Sequence, residues 1–376
     1  MFYVAVDQHS KQLTVSVRDE AGDVVLRRQV STEWERVRQF WADIRERSST
    51  AGGFVVILEV CGFNDWLVGM VREYGCREVV LVQADERSKT KTDRRDANRL
   101  GELLWVNRQR LQAGQRVPGL KRVQPPSTAD AEARQLTAMR QRVVAQRTRV
   151  INRVRHLLLK HNLAQECPTK GIQTIKAWKW LQTMSLPEMD RLEMDQCLSQ
   201  WSLLDQQKQV LEERIAKRQE VDAQAKMLAT LPGASSYSSL ALSSRIGEMS
   251  RFTTPKSLAN FWGLTPRCRN SGLSGERLGS ITKEGSAVAR FILGQLVLHV
   301  LKKDGWLRVW YRQVKHRRGS KIARVAVMRR LAVSIWHMLK HQQPYCCGGP
   351  EVVRRQRQQK GEEPMEGAFS KALQDK

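Results

Sequence analysis

Four carboxylates stand out by where they fall in the chain. Asp7 closes the alternating stretch FYVAVD, and Glu59 lies in FVVILEV, the most hydrophobic run present. A carboxylate in such surroundings is costly to bury unless it meets a cation or a hydrogen-bond donor. An Arg or a helix N-terminus would satisfy either one, and so would a metal ion. Asp93 and Asp96 are three apart in KTDRRDANRL, a segment otherwise dominated by Lys and Arg. On a helix that spacing aims both acids the same way. Either they cap and charge a first turn, where the macrodipole favours anions, or they are ligands. Four hard oxygen donors brought to one place would bind two Mg²⁺ ions about 4 Å apart. That arrangement activates a nucleophile and stabilises a leaving oxygen in phosphoryl transfer.

Convergence of the four depends on the elements that carry them. FYVAVD and LTVSVRD alternate with period two and lie close enough to form a hairpin, to which VVLRRQV adds a third strand. EWERVRQFWADIRER has the helical spacing of Val37, Phe40, Trp41 and Ile44, and FVVILEV reads as a strand covered on both faces. NDWLVGMVREYG is a helix ending at Gly75, EVVLV another central strand, and DANRLGELLWVNRQ the next helix. A β-hairpin followed by β-α-β-α units makes a mixed α/β sheet. In such a sheet the ends of the first and fourth strands are neighbours, and the following helix can bring Asp93 and Asp96 beside them.

Composition narrows the partners. The 376 residues carry a net charge of +26, with 41% apolar and 27% charged residues. This is a folding chain long enough for two or three domains, and its charge calls for a polyanion. Residues 1–122 hold 21 Lys/Arg against 17 Asp/Glu, so most of the excess lies later. No run approaches the ~18 apolar residues of a spanning helix, and no basic leader precedes an apolar segment at the start. FILGQLVLHVL is short, carries Gln and His, and reads as a buried helix. The seven cysteines form no CxxC pair, which argues against zinc and for a reduced, cytoplasmic chain outside any membrane.

Beyond Pro125 and Pro126 comes a long helix without Gly or Pro, ADAEARQ through RHLLLKHN. Leu136, Val143, Val150 and Leu157 recur every seven residues, with Val144, Ile151 and Leu158 alongside and Arg147 and Arg153 interrupting the seam. A coiled-coil arm is expected, with residues 201–228 as the returning helix of an antiparallel pair. A helical hairpin folded onto its own domain is the alternative. LPGASSY opens a third region, of short helices, Gly/Ser loops and a basic helical stretch in which residues 302–330 hold eleven Lys/Arg against Asp304 alone. Trp306, Trp310 and Trp336 there read as core anchors rather than base-stacking platforms. The expected domains are 1–122, 123–226 and 227–345, followed by a disordered polar tail, 346–376.

Taken together, VDQHS, LEVCG and KTDRRDA followed by a coiled-coil segment resemble the DEDD transposases of bacterial insertion sequences, which are bridge-RNA-guided serine recombinases. A second motif set agrees in order: Gly263-Leu264-Thr265-Pro266, Ser271-Gly272, Lys283-Glu284-Gly285 and Arg290. The resemblance implies an RNase H-like, resolvase-like first domain whose Asp7, Glu59, Asp93 and Asp96 bind Mg²⁺ or Mn²⁺. It implies a mostly helical C-terminal transposase domain in which Ser271 is the nucleophile, with Ser274 the nearby rival. Arg267, Arg269, Lys283 and Arg290 become candidates to neutralise the scissile phosphate. It further implies cutting and rejoining of donor and target duplex DNA through a phosphoserine intermediate. A structured guide RNA would select the sites, and the coiled coil would make a dimer or tetramer in a bacterial cytoplasm. A metal-dependent junction resolvase using water is one alternative function, and a non-enzymatic basic coiled-coil protein is another. One departure is visible: the Gly-rich PGIG-like turn of the family is Pro232-Gly233-Ala234-Ser235 here.

Overall fold

The computed structural model describes residues 1–83, 93–115, 117–118, 120–268 and 278–347. The chain divides into two compact units, Met1–Pro125 and Pro126–Lys376.

The first unit has the order β1 (Phe2–Gln8), β2 (Gln12–Arg18), β3 (Val24–Ser31), α1 (Trp34–Ser49), β4 (Phe54–Glu59), α2 (Asp65–Glu73), β5 (Glu78–Val82), α3 (Asp93–Val106), α4 (Arg108–Gln112) and β6 (Arg122–Val123). Its strands form one sheet in the order β3-β2-β1-β4-β5-β6. The β1–β2–β3 meander is antiparallel, β1, β4 and β5 run parallel, and β6 returns antiparallel on β5. Both faces are covered, which is why β4 is apolar throughout until Glu59. On one face Val4, Val6, Val56 and Leu58 pack against Phe40, Trp41 and Ile44 of α1 and Leu67 and Val71 of α2. On the other, Tyr3, Ala5, Val55 and Ile57 pack against Leu100 and Leu104 of α3. The alternation expected of these strands is therefore real, and β6, too short to show a period, is the strand that periodicity does not reveal.

The second unit is mostly helical: α5 (Thr128–Lys160), α6 (Ile175–Thr183), α7 (Glu188–Val221), α8 (Ala223–Ala229), α9 (Ser236–Ile246), α10 (Pro255–Phe261), α11 (Ala287–Lys303), α12 (Gly305–Arg318) and α13 (Ser320–Lys340). A two-stranded hairpin of β7 (Pro266–Cys268) and β8 (Leu278–Ile281) interrupts it. Ser127 caps α5 by accepting from the Asp130 N–H, and Pro125 and Pro126 keep the helix from starting sooner.

α5 and α7 lie antiparallel, and their cross-links fall in reverse order. Arg140 pairs with Glu212, Arg147 with Asp205, Arg153 with Glu193, and Lys160 with Asp190. The arginines that interrupt the heptad seam thus reach acids on the partner helix. The returning helix begins at Glu188 rather than at residue 201, and stops at Asp222, whose side chain caps α8. The expected 201–228 helix therefore spans a break. Apolar burial concentrates at the ends of this pair. Ile151, Val154, Leu157 and Leu158 join Met194, Leu198 and Trp201 in one cluster, and Ala133 joins Ile215, Ala225 and Leu240 in another. Between them Val143, Val144 and Val150 are only half-buried.

The rest of the unit packs around α11 and α13, with Trp262, Leu293, Leu296, Val327, Leu331 and Ile335 in its core. Trp336 is 7% exposed and donates its ring N–H to the Phe252 carbonyl at 2.8 Å, so it anchors the core as expected.

Candidate functional site

β1 and β4 pair in register from Phe2↔Phe54 to Val6↔Leu58. Asp7 and Glu59 are the next residues on each strand, one step past the last ladder pair. In-step residues of parallel strands share a face, and side chains alternate along a strand. Asp7 and Glu59 therefore stand on the same face as Ala5 and Ile57, the face that α3 covers.

The direction of α3 follows from its contacts. Asn98 accepts from the Ser16 hydroxyl at 3.2 Å, and Trp105 donates to the Glu20 carbonyl at 3.2 Å. A Cβ on Gly101 would lie 3.5 Å from the Ala5 methyl. Because Ser16 pairs with Ala5 and Arg18 with Tyr3, α3 runs opposite to β1. Its first turn, with Asp93 and Asp96, falls at the Asp7 end. Ala97 is buried beside a half-buried Asp96. The fold thus carries all four acid positions to one end of the sheet.

Asp7 is partly buried, and its Oδ2 lies 3.1 Å from His9 Nε2. Glu59 sits at the strand end and half-buried rather than inside the apolar sheet. Carboxylate oxygens suit a hard divalent cation. Among the described residues, however, no three His, Cys, Asp or Glu side chains stand close enough to hold one. The donor set and its placement fit a metal in kind; the described acids do not close to ligating distance.

Two residues absent from the sequence reading build this end of the sheet. The buried Asn64 donates to the Gln8 side-chain carbonyl at 2.9 Å and to the Glu59 backbone carbonyl at 3.0 Å, and accepts from the Cys61 N–H. Gln8 in turn donates to the Phe63 carbonyl at 3.0 Å. The pair ties the end of β1 to the turn after β4, fixing the backbone that presents both acids. Nothing marks them in the sequence, since Asn and Gln at a strand–loop junction are ordinary. A cavity of about 130 Å³ adjoins the start of α3, between Thr14 and Ser16 of β2, Arg27 and Gln29 of β3, and Ala97 and Asn98.

In the second unit the motif residues form a knot at the base of the β7–β8 hairpin. Gly263 and Gly285 have φ of 65° and 76°. A Cβ on Gly263 would fall 2.1 Å from the Glu284 carbonyl oxygen, and one on Gly285 2.0 Å from that of Phe261. Only glycine fits either place. Arg290 donates to the carbonyls of Trp262, Glu284 and Gly285 at 3.0, 3.0 and 3.3 Å, and so locks the two segments together. All three bonds use one guanidinium nitrogen of this half-buried arginine. Arg267 is exposed and reaches the Thr282 carbonyl at 3.2 Å; Lys283 is exposed, with a left-handed φ of 57°. Ser271, Ser274 and Arg269 lie outside the described residues, as does the tail from residue 348 on.

The Pro232–Ser235 turn is a helix cap. Gly233, at φ 82°, is packed so closely on His299 that a Cβ would meet its ring at 2.3 Å. Ser235 and Ser238 then close a reciprocal capping box on α9. In this chain the turn starts a helix, with the capping Ser235 at the fourth position of the turn.

Residues 4–162 match the model of the DEDD transposase family. Residues 225–312 match that of the transposase IS116/IS110/IS902 family. Among curated proteins, the chain is similar to the transposase for insertion sequence element IS1111A of Coxiella burnetii. They are 27% identical over 305 residues, covering 78% of this chain and 79% of that one. It is also similar to a probable family 20 transposase of Pseudomonas aeruginosa, 25% identical over 356 residues, 91% of this chain and 98% of the other. A putative transposase of Sinorhizobium fredii is 26% identical over 304 residues, 77% and 74% of the two chains. No described helix is long and apolar enough to cross a membrane.

Proposed function

Because this chain belongs to the IS116/IS110/IS902 family of DEDD transposases, enzymes that act on DNA, we propose that it cuts and rejoins DNA with Ser271 as nucleophile and the carboxylates at the end of its first sheet as the metal site. The observation that carries the metal half of this reading is topological. Parallel pairing sets Asp7 beside Glu59, and the direction of α3 delivers the turn of Asp93 and Asp96 to the same end. The β1–β2–β3 meander beside parallel β4 and β5 supports an RNase H-like assignment for the first unit.

Asp7, Glu59, Asp93 and Asp96 would hold Mg²⁺ or Mn²⁺, which when bound supplies charge to activate the nucleophile and stabilise the leaving oxygen. The Ser271 Oγ bonds to the scissile phosphorus as the sugar oxygen–phosphorus bond breaks. The hydroxyl proton passes to a base, and the departing sugar oxygen takes one up. A hydroxyl from the second strand then attacks the phosphoserine, and Ser271 leaves. The sequence around Ser271 offers no His, so the group that activates its hydroxyl has to come from elsewhere in the assembly. Arg267 and Lys283, both exposed, are suited to the phosphate charge; Arg269 shares that role, and Arg290 acts by shaping the loop base.

Oligomerisation through the α5–α7 pair, as a coiled coil, is part of this proposal. Exposed Met139, Leu203 and Val210 on those helices support it. The net charge of +26 supports a second polyanion, a structured guide RNA that selects donor and target. The setting is the bacterial cytoplasm.

The decisive test is a denaturation-resistant protein–DNA adduct. It should form with the wild type, vanish in Ser271→Ala and persist in Ser274→Ala. A junction resolvase using water would cut DNA without any adduct. Asp7→Asn, Glu59→Gln and Asp96→Asn should each abolish recombination while leaving nucleic-acid affinity largely intact. Full recombination by Asp96→Asn would end the metal-site assignment. Sequencing the RNA that copurifies with the chain tests the guide.

A further inference from the structure

The densest charge in the chain lies in a place the reaction above leaves unused. Asp304 is the last acid before Glu351, and nine Lys or Arg fall between residues 305 and 330. They are carried by α12 and α13, which are joined through Gly319 alone, at φ 82°. That single-residue turn sets the last turn of α12 next to the first turn of α13, and residues 315–322 are all exposed.

Helix electrostatics accounts for three of these nine cations. Lys315, Arg317 and Arg318 sit in the last turn of α12, where cations complement the dipole. The same rule opposes Lys321, in the first turn of α13, where the dipole is positive. The Gly319 cap has no side chain to offer the free N–H groups there. Arg317 and Arg324 donate to the backbone carbonyls of Gln313 and Gly294. Among the described residues no ion pair is recorded for these cations, and the sequence supplies no acid nearby. Like charges within about 10 Å repel at ordinary ionic strength. An uncompensated cluster of this kind is what an external polyanion relieves.

The neighbouring aromatics narrow the choice of polyanion. The Arg330 guanidinium stacks on Trp306 and Trp310, 4.8 and 4.0 Å from their ring centroids. Both rings pack against the core of the unit. They are therefore taken, and cannot serve as the stacking platforms by which unpaired bases are gripped. What remains on the surface is a set of point cations suited to phosphates of a paired, stacked helix. The cluster also lies past residue 312, where the match to the family's C-terminal domain ends.

We infer that the exposed end of the α12–α13 hairpin is a grip for the sugar–phosphate backbone of duplex DNA. This rests on the transposase reading above and adds to it the surface that holds the substrate. The test uses the full chain with Lys315, Arg317, Arg318 and Lys321 all changed to Gln. Binding of a fluorescent duplex oligonucleotide is followed by anisotropy across a salt series. Four lost phosphate contacts should lower the slope of log Kd against log salt by about three to four, and weaken binding at 0.1 M salt at least tenfold. Each single substitution should lower the slope by about one, which keeps the test open should the fourfold variant unfold. An unchanged slope and affinity in the folded variants overturns the proposal. Lost affinity for a stem-loop RNA with duplex DNA still held at full strength overturns it too, since the surface would then belong to RNA. A wild-type chain that binds neither would bring down the transposase reading itself, and this surface with it.

Discussion

At the acid end of the sheet, Asn64 answers three groups at once: the Gln8 side-chain carbonyl, the Glu59 backbone carbonyl and the Cys61 N–H. Asn64→Ala should take one donor each from the Glu59 backbone carbonyl and the Gln8 side-chain carbonyl. Stranding a buried polar group costs about 1–3 kcal/mol. A lowered Tm is therefore expected, together with recombination lost beyond what the fold loses. Gly285→Ala is harsher, because the new methyl meets backbone at 2.0 Å. A chain that accumulates poorly or melts well below the wild type is the expected result. These residues divide sharply in how far the sequence discloses them. Asp7 and Glu59 are visible because a carboxylate breaks an apolar alternation. Asn64 and Gln8 break nothing. Arg290, a phosphate candidate by its motif, donates to three carbonyls as well, because residue type fixes what a guanidinium donates but not which acceptor it finds. For Ser271 the sequence offers the motif alone.

Helices and strands were easier to read than the joints between them. The alternation of β1 and β2, the apolar run of β4 and the heptads of α5 each predict an element that the structure contains. The expected returning helix starts at residue 201, whereas α7 begins at Glu188, and the i, i+3, i+4, i+7 spacing of Met194, Cys197, Leu198 and Trp201 is the helical signal that marks its first half. The far end of the helix pair is fastened by Asp190, which is held below the usual carboxylate range by Lys160 and His161. A depressed folded value means the stabilisation is present above the unfolded pKa of about 3.9 and disappears as pH falls through the folded one. Wild type should therefore be more stable than Asp190→Asn at neutral pH. The gap between their melting temperatures should close as pH drops below about 4. A gap that stays constant down to pH 3 would mean the ion pair contributes nothing there.

On the scale of the whole molecule, charge and fold are segregated alike. Residues 1–122 are nearly neutral, and the excess of Lys and Arg falls in the mostly helical unit. The sequence reads as three domains, 1–122, 123–226 and 227–345, with Pro125 and Pro126 as the punctuation after the first; the structure divides into two compact units at that point. The six-stranded sheet uses no strand later than Val123, so every partner it needs is already made when Pro125 is polymerised. Domains mature as units from the N-terminus during synthesis. A nascent chain stalled at the end of α5 should therefore resist protease within the strands and helices of the first unit. The six-stranded unit then stands finished on the ribosome before the returning helix of the arm exists, and a stop codon in the second half would release a stable, compact orphan rather than debris.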